Sequence, residues 1–164
     1  MIRGIHHTSI STQEFDRLVH FYRDIVGLAF VASYDWDTSS PDRDKLDRIV
    51  GLKGSATRSA LLRAGNTYLE IFQYLSPKGK VGDPARPACD AGLTHVAFDV
   101  VDIFAEYERL RRAGVSFHTE PQSVGLFRST YGRDPDGNIF ELQEVMDPNH
   151  PVALTNLVPQ IAQR

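Results

Sequence analysis

The chain has 164 residues, 41% of them hydrophobic and 24% charged, and its 18 basic and 21 acidic residues leave a formal net charge of −3. This balance excludes a broadly basic nucleic-acid-binding surface. The apolar runs are far shorter than the ~20 residues that a membrane-spanning helix needs, so we expect neither nucleic acid nor a membrane as partner. The N-terminus lacks the apolar stretch of a signal peptide and Cys89 is the single cysteine, so we expect a cytoplasmic protein.

The first half of the chain begins with a predicted strand, residues 4–10, followed by a predicted helix over residues 13–26 that Thr12 caps. After Gly27 the chain re-enters a strand, and a last pair of strands turns at residues 65–66. Residues 36–56 form an insertion. Its middle, residues 41–52, predicts a short helix whose inward side consists of Leu46, Ile49 and Val50.

The second half repeats this order. A strand over residues 92–98 precedes a helix over residues 102–113 that Asp102 caps, and a new strand follows Gly114. The last hairpin turns at an Asp-Pro-Asp-Gly sequence, residues 134–137, in which proline and glycine favour a tight turn. Because four features recur in the same order, we infer a duplication.

The repeat predicts an α+β fold made of two tandem βαβββ modules. The repeat and the composition predict the boundaries. Residues 1–75 form the first module with its helical insertion, and residues 92–146 form the second module. Between them lies a linker rich in proline and glycine, residues 76–91, and a C-terminal tail follows over residues 147–164.

Two histidines and two glutamates occupy equivalent positions in the repeat. His7 and His95 lie on the first strand of each half, and Glu70 and Glu141 lie on the last. The neighbours of each glutamate along the strand are apolar, so the carboxylate must face the opposite side of the sheet from the core. Imidazole and carboxylate groups are ligands of divalent transition metals, and four of them leave an octahedral ion two open positions.

Four segments carry a resemblance to the vicinal oxygen chelate superfamily: IHHTSI at 5–10, YLEIF at 68–72, LTHVAFDV at 93–100 and RDPDGNIFEL at 133–142. That superfamily includes glyoxalase I, methylmalonyl-CoA epimerase, extradiol dioxygenases and bleomycin- or fosfomycin-resistance proteins. The resemblance implies sheets that curl around a shared metal cavity, often in a homodimer. It also implies that His7, Glu70, His95 and Glu141 are the four metal ligands.

The complete set of four resembles the lyases, isomerases and epimerases, in which a metal stabilises an enediolate or enolate formed from a small substrate with vicinal oxygens. The resemblance makes Glu141 the expected catalytic base, with Glu70 as its partner on the opposite face. We expect one divalent ion per chain, which these ligands allow to be Fe, Mn, Co, Ni or Zn.

Two alternatives remain open at this point. Extradiol dioxygenases resemble the chain at His7, His95 and Glu141 but have no ligand at the position of Glu70, so an Fe(II)-dependent dioxygenase is the first alternative. A non-catalytic drug- or metabolite-binding protein of the bleomycin-resistance type is the second. Bleomycin-binding relatives generally lack the full ligand set.

Residues on the ligand face predict the substrate-binding wall. The side chains two positions from a ligand share its face of the sheet, and the resulting candidates are Ser9, Tyr68, Phe72 and Gln143. Arg128 and Arg58 are added as candidate anchors for a carboxylate or phosphate.

Overall fold

The computed structural model describes residues 2–157 and confirms the α+β class, with two mixed sheets. The described chain divides into two compact units, one over residues 6–82 and one over residues 83–157 together with residues 2–5. We call residues 6–82 module 1 and residues 83–157 module 2. The division falls inside the segment 76–91 that the sequence assigns to a linker, and residues 158–164 of the predicted tail lie outside the described residues.

Module 1 consists of a four-stranded sheet and helices. Its elements are β1 (His7–Ser11), α1 (Phe15–His20) continued by a π-helical segment (Phe21–Val26), β2 (Ala29–Ala32), α2 (Arg43–Val50), β3 (Ala56–Ala64) and β4 (Thr67–Ser76). The strand order is β1-β4-β3-β2, with β1 parallel to β4 and the other neighbours antiparallel. The parallel pair places the first and last strands of the module side by side.

Module 2 repeats the βαβββ order, with a short strand over residues 122–124 added and no counterpart of α2 in its described residues. Its elements are β5 (His95–Asp99), α3 (Ile103–Arg112), β6 (Ser116–Phe117), β7 (Gln122–Val124), β8 (Phe127–Arg133), β9 (Ile139–Val145) and a 3₁₀ turn (Leu154–Asn156). Its sheet has the order β5-β9-β8-β6, β7 pairs with β8, and β5 is parallel to β9. The βαβββ order predicted from the repeat is therefore present in both modules.

The two predicted caps differ in the structure. Asp102 caps α3 as expected, since its side chain accepts a hydrogen bond from Ala105 N at 3.2 Å. Thr12 accepts a hydrogen bond from Glu14 N at 2.9 Å, so it stabilises the turn before α1 while Glu14 holds the N-cap position. The predicted helix over residues 13–26 is real, but its second half is π-helical and ends at Gly27, whose φ of 100° suits glycine.

The insertion forms the predicted short helix, but the prediction that its apolar side chains face inward is wrong. Ile49 is 78% exposed, and α2 contains no buried residue. Asp47 instead fastens the helix, because its carboxylate accepts hydrogen bonds from Gly54 N, Ser55 N and Ser55 Oγ. The Ser55 hydroxyl also accepts a hydrogen bond from Trp36 Nε1 at 2.8 Å. Polar contacts therefore position α2.

Each module buries an apolar layer between its sheet and helix. In module 1 the fully buried members include Leu18, Leu62, Leu69 and Ile71; in module 2 they include Ile103, Leu110, Phe140 and Leu142. Leu62 opposes Leu69, whereas Gly132 opposes Phe140 at the equivalent place. A Cβ on Gly132 would lie 2.5 Å from Phe140 Cζ, so the phenylalanine ring takes the space of a cross-strand side chain.

The described residues contain short helices only. Within residues 2–157, no helix has the length and apolar character required to cross a bilayer.

Candidate metal centre

The histidine and glutamate of each module lie on adjacent parallel strands in the same register. In module 1, His7 is the register partner of the residue two positions before Glu70. In module 2, His95 is the register partner of the residue two positions before Glu141. Residues two positions apart on a strand share a face, so each module directs one imidazole and one carboxylate to the same side of its sheet.

The two side chains of each pair are close together. His7 Nε2 lies 3.4 Å from Glu70 Oε2, and His95 Nε2 lies 3.0 Å from Glu141 Oε2. Two ligand atoms that each lie about 2.1 Å from one ion are about 3.0 to 3.4 Å apart at octahedral or tetrahedral angles. Both pairs therefore have the donor atoms and the spacing that a divalent transition metal requires.

In module 1 the histidine has a second contact. His7 Nδ1 lies 2.9 Å from His6 Nδ1, and the two rings are nearly perpendicular. The His6 ring also packs against the Tyr68 ring, with centroids 5.1 Å apart. His7 therefore has one ring nitrogen engaged by a neighbouring histidine and the other directed at Glu70.

In module 2 it is the glutamate that has the second contact. Ser129 Oγ donates a short hydrogen bond to Glu141 Oε1, and Glu141 is 9% exposed. The His95 ring packs against the Tyr131 ring, with centroids 4.8 Å apart. His95 Nδ1 is buried and has no hydrogen-bond partner within residues 2–157.

Each module by itself brings together one histidine and one glutamate. Across the described part of the chain, no group of three or more His, Cys, Asp or Glu side chains is gathered as a metal site would require. The residues that the structure brings together are thus His7 with Glu70 and His95 with Glu141.

A tyrosine lies near the carboxylate in each module. Burial raises the pKa of Tyr74, and the negative charge of Glu70 raises it further. Burial likewise raises the pKa of Tyr131, with a smaller contribution from Glu141. Both phenols therefore stay protonated at neutral pH, as hydrogen-bond donors near a carboxylate.

The predicted wall residues of module 1 share the face of Glu70. Ser9 is the register partner of Glu70 and is exposed, while Tyr68 and Phe72 flank Glu70 two positions away on β4. The Phe72 ring stacks on the Tyr74 ring at 5.7 Å between centroids, and it also meets Trp36 edge-on at 5.8 Å. This side of the module 1 sheet is therefore aromatic near the carboxylate.

Gln143 is the predicted wall residue of module 2. It lies two positions after Glu141 on β9, and its register partner on β8 is Ser129. Gln143 is half-buried and shares the face of Glu141, as the sequence analysis expects.

Arg128 lies on the opposite face of its sheet, contrary to the expectation from sequence. Its guanidinium pairs with Glu144 at 3.2 Å and lies over the Phe104 ring of α3 at 5.5 Å. Arg58 repeats this arrangement in module 1, where it pairs with Asp16 at 2.7 Å and lies over Phe15. Both arginines therefore join a sheet to its helix, and neither shares a face with the glutamates.

Sequence analysis missed Ser129 and Tyr131. The signal was present in the Asp-Pro-Asp-Gly turn, because a tight hairpin fixes the register of the strands that it joins. Counting back from that turn places Tyr131 opposite Glu141, and Ser129 follows on the same face. The same count places Arg128 on the other face.

Comparison with known proteins agrees with this architecture. The family model described as Glyoxalase/Bleomycin resistance protein/Dioxygenase superfamily matches residues 4–142. A glyoxalase family protein from Bacillus cereus has a similar structure, with a TM-score of 0.76 and 21% identity over 90% of this chain and 97% of that one. At this identity the likeness concerns the fold.

Two curated sequences are also similar. Biphenyl-2,3-diol 1,2-dioxygenase 3 of Rhodococcus globerulus is 40% identical over 65 residues, which cover 38% of this chain and 34% of the relative. The match thus spans about a third of that relative's length. The protein YetH of Bacillus subtilis is 26% identical over 144 residues, covering 88% of this chain and all of the relative. The chain belongs to the Glyoxalase/Bleomycin resistance protein/Dioxygenase superfamily.

Proposed function

We propose that the chain is a divalent-metal-dependent lyase, isomerase or epimerase of the glyoxalase type, acting on a small substrate with vicinal oxygens. The observation that carries this proposal is the pair of equivalent His–Glu contacts, whose nitrogen and oxygen atoms lie 3.4 and 3.0 Å apart. The family resemblance makes His7, Glu70, His95 and Glu141 together the four protein ligands of one ion. Fe, Mn, Co, Ni and Zn all suit this donor set.

A bound ion would act as a Lewis acid that polarises the substrate oxygens and stabilises the negative charge that develops when a proton is removed. The protein's own part is to hold the substrate and to move that proton. Ser9 and Gln143 offer polar groups for the substrate oxygens, and Tyr68 and Phe72 offer a flat apolar surface.

Either carboxylate can serve as the base. The family resemblance assigns proton transfer to Glu141, with Glu70 as its partner. The hydrogen bond from Ser129 favours the reverse assignment, because it restrains Glu141, whereas Glu70 lies 3.4 Å from His7 and accepts no serine hydrogen bond within residues 2–157. We therefore assign the moving proton to Glu70 and the fixed carboxylate to Glu141.

The family resemblance also supports a homodimer as the working assembly. The single cysteine is compatible with a reducing compartment, so we propose the cytoplasm as the place of action.

A second candidate is an Fe(II)-dependent extradiol-type dioxygenase. It is favoured by the 65-residue segment that is 40% identical to biphenyl-2,3-diol 1,2-dioxygenase 3. In this alternative His7, His95 and Glu141 form the two-histidine, one-carboxylate set that leaves positions open for substrate and oxygen. Glu70 then lies outside the ligand set, which fits the longer of the two His–Glu distances.

Metal analysis of protein purified without chelator tests the first proposal. We expect about one divalent ion per chain, and we expect Glu70→Ala and His95→Ala each to lose it, because each variant removes one of four ligands. His20→Ala and Glu120→Gln are matched controls, since both residues are exposed. Retention of the ion in both ligand variants contradicts the proposal.

Oxygen consumption separates the two candidates. After anaerobic loading with Fe(II), a dioxygenase consumes oxygen on addition of catechols, and Glu70→Ala keeps both iron and activity. A lyase, isomerase or epimerase consumes no oxygen and loses the ion in this variant. A wild-type protein that holds no ion and binds drugs or metabolites unchanged would instead support the non-catalytic alternative.

A further inference from the structure

We propose that His6 is a positioning residue that holds His7 in the tautomer required of a metal ligand. The inference rests on the proposed function, because it assigns a role to His6 only if His7 binds a metal ion. His6 itself does not contact the ion in this proposal. It acts through the ring nitrogen of His7 that faces away from Glu70.

The contact between the two histidines requires one shared hydrogen. Two Nδ1 atoms 2.9 Å apart are at hydrogen-bonding distance, and one of them must carry the hydrogen while the other accepts it. If His7 Nδ1 carries it, His7 Nε2 presents a lone pair toward Glu70, as a metal ligand must. If His6 Nδ1 carries it, His7 Nε2 is protonated and cannot bind a metal.

The proposed role of His7 as a metal ligand selects the first arrangement. The 3.4 Å between His7 Nε2 and Glu70 Oε2 is long for an N–H to oxygen hydrogen bond and matches the separation of two ligands of one ion. The contact between the two Nδ1 atoms has the length of a normal hydrogen bond, so it can hold the hydrogen on His7 Nδ1. We therefore place the hydrogen on His7 Nδ1, with His6 as its acceptor.

His6 is held in place although it is exposed. Its carbonyl oxygen accepts hydrogen bonds from Thr67 Oγ1 at 2.9 Å and from Tyr68 N at 3.1 Å. Its ring packs against the Tyr68 ring at an interplanar angle of 33°. These contacts fix both backbone and ring, so the acceptor nitrogen has a defined position relative to His7.

Module 2 has no histidine that forms a hydrogen bond with the Nδ1 atom of His95 within the described residues. The residue before His95 is Thr94, and within residues 2–157 the buried His95 Nδ1 has no hydrogen-bond partner. Thr94 is therefore the matched control position for His6, since each immediately precedes the histidine of its module.

The test measures the tautomer of His7 in the metal-free protein by long-range ¹H–¹⁵N correlation of labelled histidine. We expect the hydrogen on Nδ1 in the wild type and in His6→Asn, whose side-chain oxygen can accept from the same nitrogen. In His6→Ala we expect Nε2-protonated His7 to increase. A wild-type His7 with its hydrogen on Nε2, or an unchanged tautomer in His6→Ala, overturns the proposal.

Binding of Co²⁺, measured by competition with a chromophoric chelator, supplies the second readout. His6→Ala should bind Co²⁺ about 10- to 100-fold more weakly, His6→Asn should recover most of this loss, and Thr94→Ala should match the wild type. Equal affinity in His6→Ala and wild type contradicts the role of His6. Failure of the wild type to bind Co²⁺ contradicts the proposed metal function instead, and the tautomer measurement still decides whether His6 orders the His7 ring.

Discussion

The two modules place the same His–Glu pair in the same register, but a different member of the pair has an additional contact. In module 1 this member is the histidine, because His6 contacts His7 Nδ1. In module 2 it is the glutamate, because Ser129 donates to Glu141. The strand register, which sets where the two side chains lie, is the same in both modules, while the surrounding contacts differ.

Glu70 and Glu141 occupy equivalent positions in the repeat, but the Ser129 contact suits them to different roles. A glutamate held by a serine hydroxyl is restrained in its orientation, and a glutamate without that contact has more freedom to rotate. The module 1 site also has a more exposed histidine, with 43% of the His7 side chain accessible against 27% for His95. In our proposal the carboxylate of Glu70 is therefore the more mobile of the two, and the carboxylate of Glu141 the more restrained.

The largest expected effect concerns the cores beneath the two glutamates. Phe140 precedes Glu141 as Leu69 precedes Glu70, and both are buried. We expect Phe140→Ala to lower the free energy of unfolding by about 3 to 5 kcal/mol and Leu69→Ala by about 2 to 5 kcal/mol, because each leaves a cavity. Urea denaturation measures both, and a loss below about 1 kcal/mol at either site would mean that its core layer collapses to fill the space.

Removal of the Ser129 hydroxyl should affect metal binding rather than folding. We expect Ser129→Ala to bind Co²⁺ about 10- to 100-fold more weakly, because Glu141 loses the contact that orients it. The control is Ser59→Ala, since Ser59 occupies the equivalent position on β3 but its hydroxyl accepts a hydrogen bond from Tyr34 N. Equal losses in the two variants would show that the serine contact gives Glu141 no special restraint.

The smallest expected effect is on the ionisation of Tyr131. Because its pKa is raised, the unfolded chain loses this proton before the folded chain does, so stability falls as pH rises above about 10 until the folded pKa is passed. Glu141→Gln should lower the pKa of Tyr131 only in part, since burial is the main cause of the shift and the charge of Glu141 the smaller one. The phenolate absorbance, with Tyr131→Phe to identify the signal, measures this change. If the titration of Tyr131 is the same in Glu141→Gln and the wild type, the charge of Glu141 does not contribute to the raised pKa of Tyr131.

Much of the fold could be predicted because the same order of strands, helix and final hairpin occurs in both halves of the sequence. The first strands, residues 4–10 and 92–98, and the final hairpins identify His7 and His95, and Glu70 and Glu141, as equivalent positions, and neither pattern depends on long-range packing. The α3 cap was predictable for the same reason, since Asp102 acts on a backbone amide three residues away.

Features that depend on packing could not be predicted as well from the sequence. The π-helical continuation of α1 buries Phe21 and Tyr22, and no local propensity specifies that geometry. The apolar stripe of α2 suggested burial, yet Ile49 is exposed because polar contacts through Asp47 position that helix. The face of Arg128, in contrast, follows from the strand register that the Asp-Pro-Asp-Gly turn fixes, so the sequence does contain that information.

We propose that the two His–Glu pairs bind one ion together. Co²⁺ titration of the metal-free chain, followed by native mass spectrometry, tests it most directly. We predict about one ion per chain, lost from His7→Ala and from His95→Ala alike, because either variant removes a ligand of the same site. Two ions per chain, each lost only with its own histidine, would contradict the account.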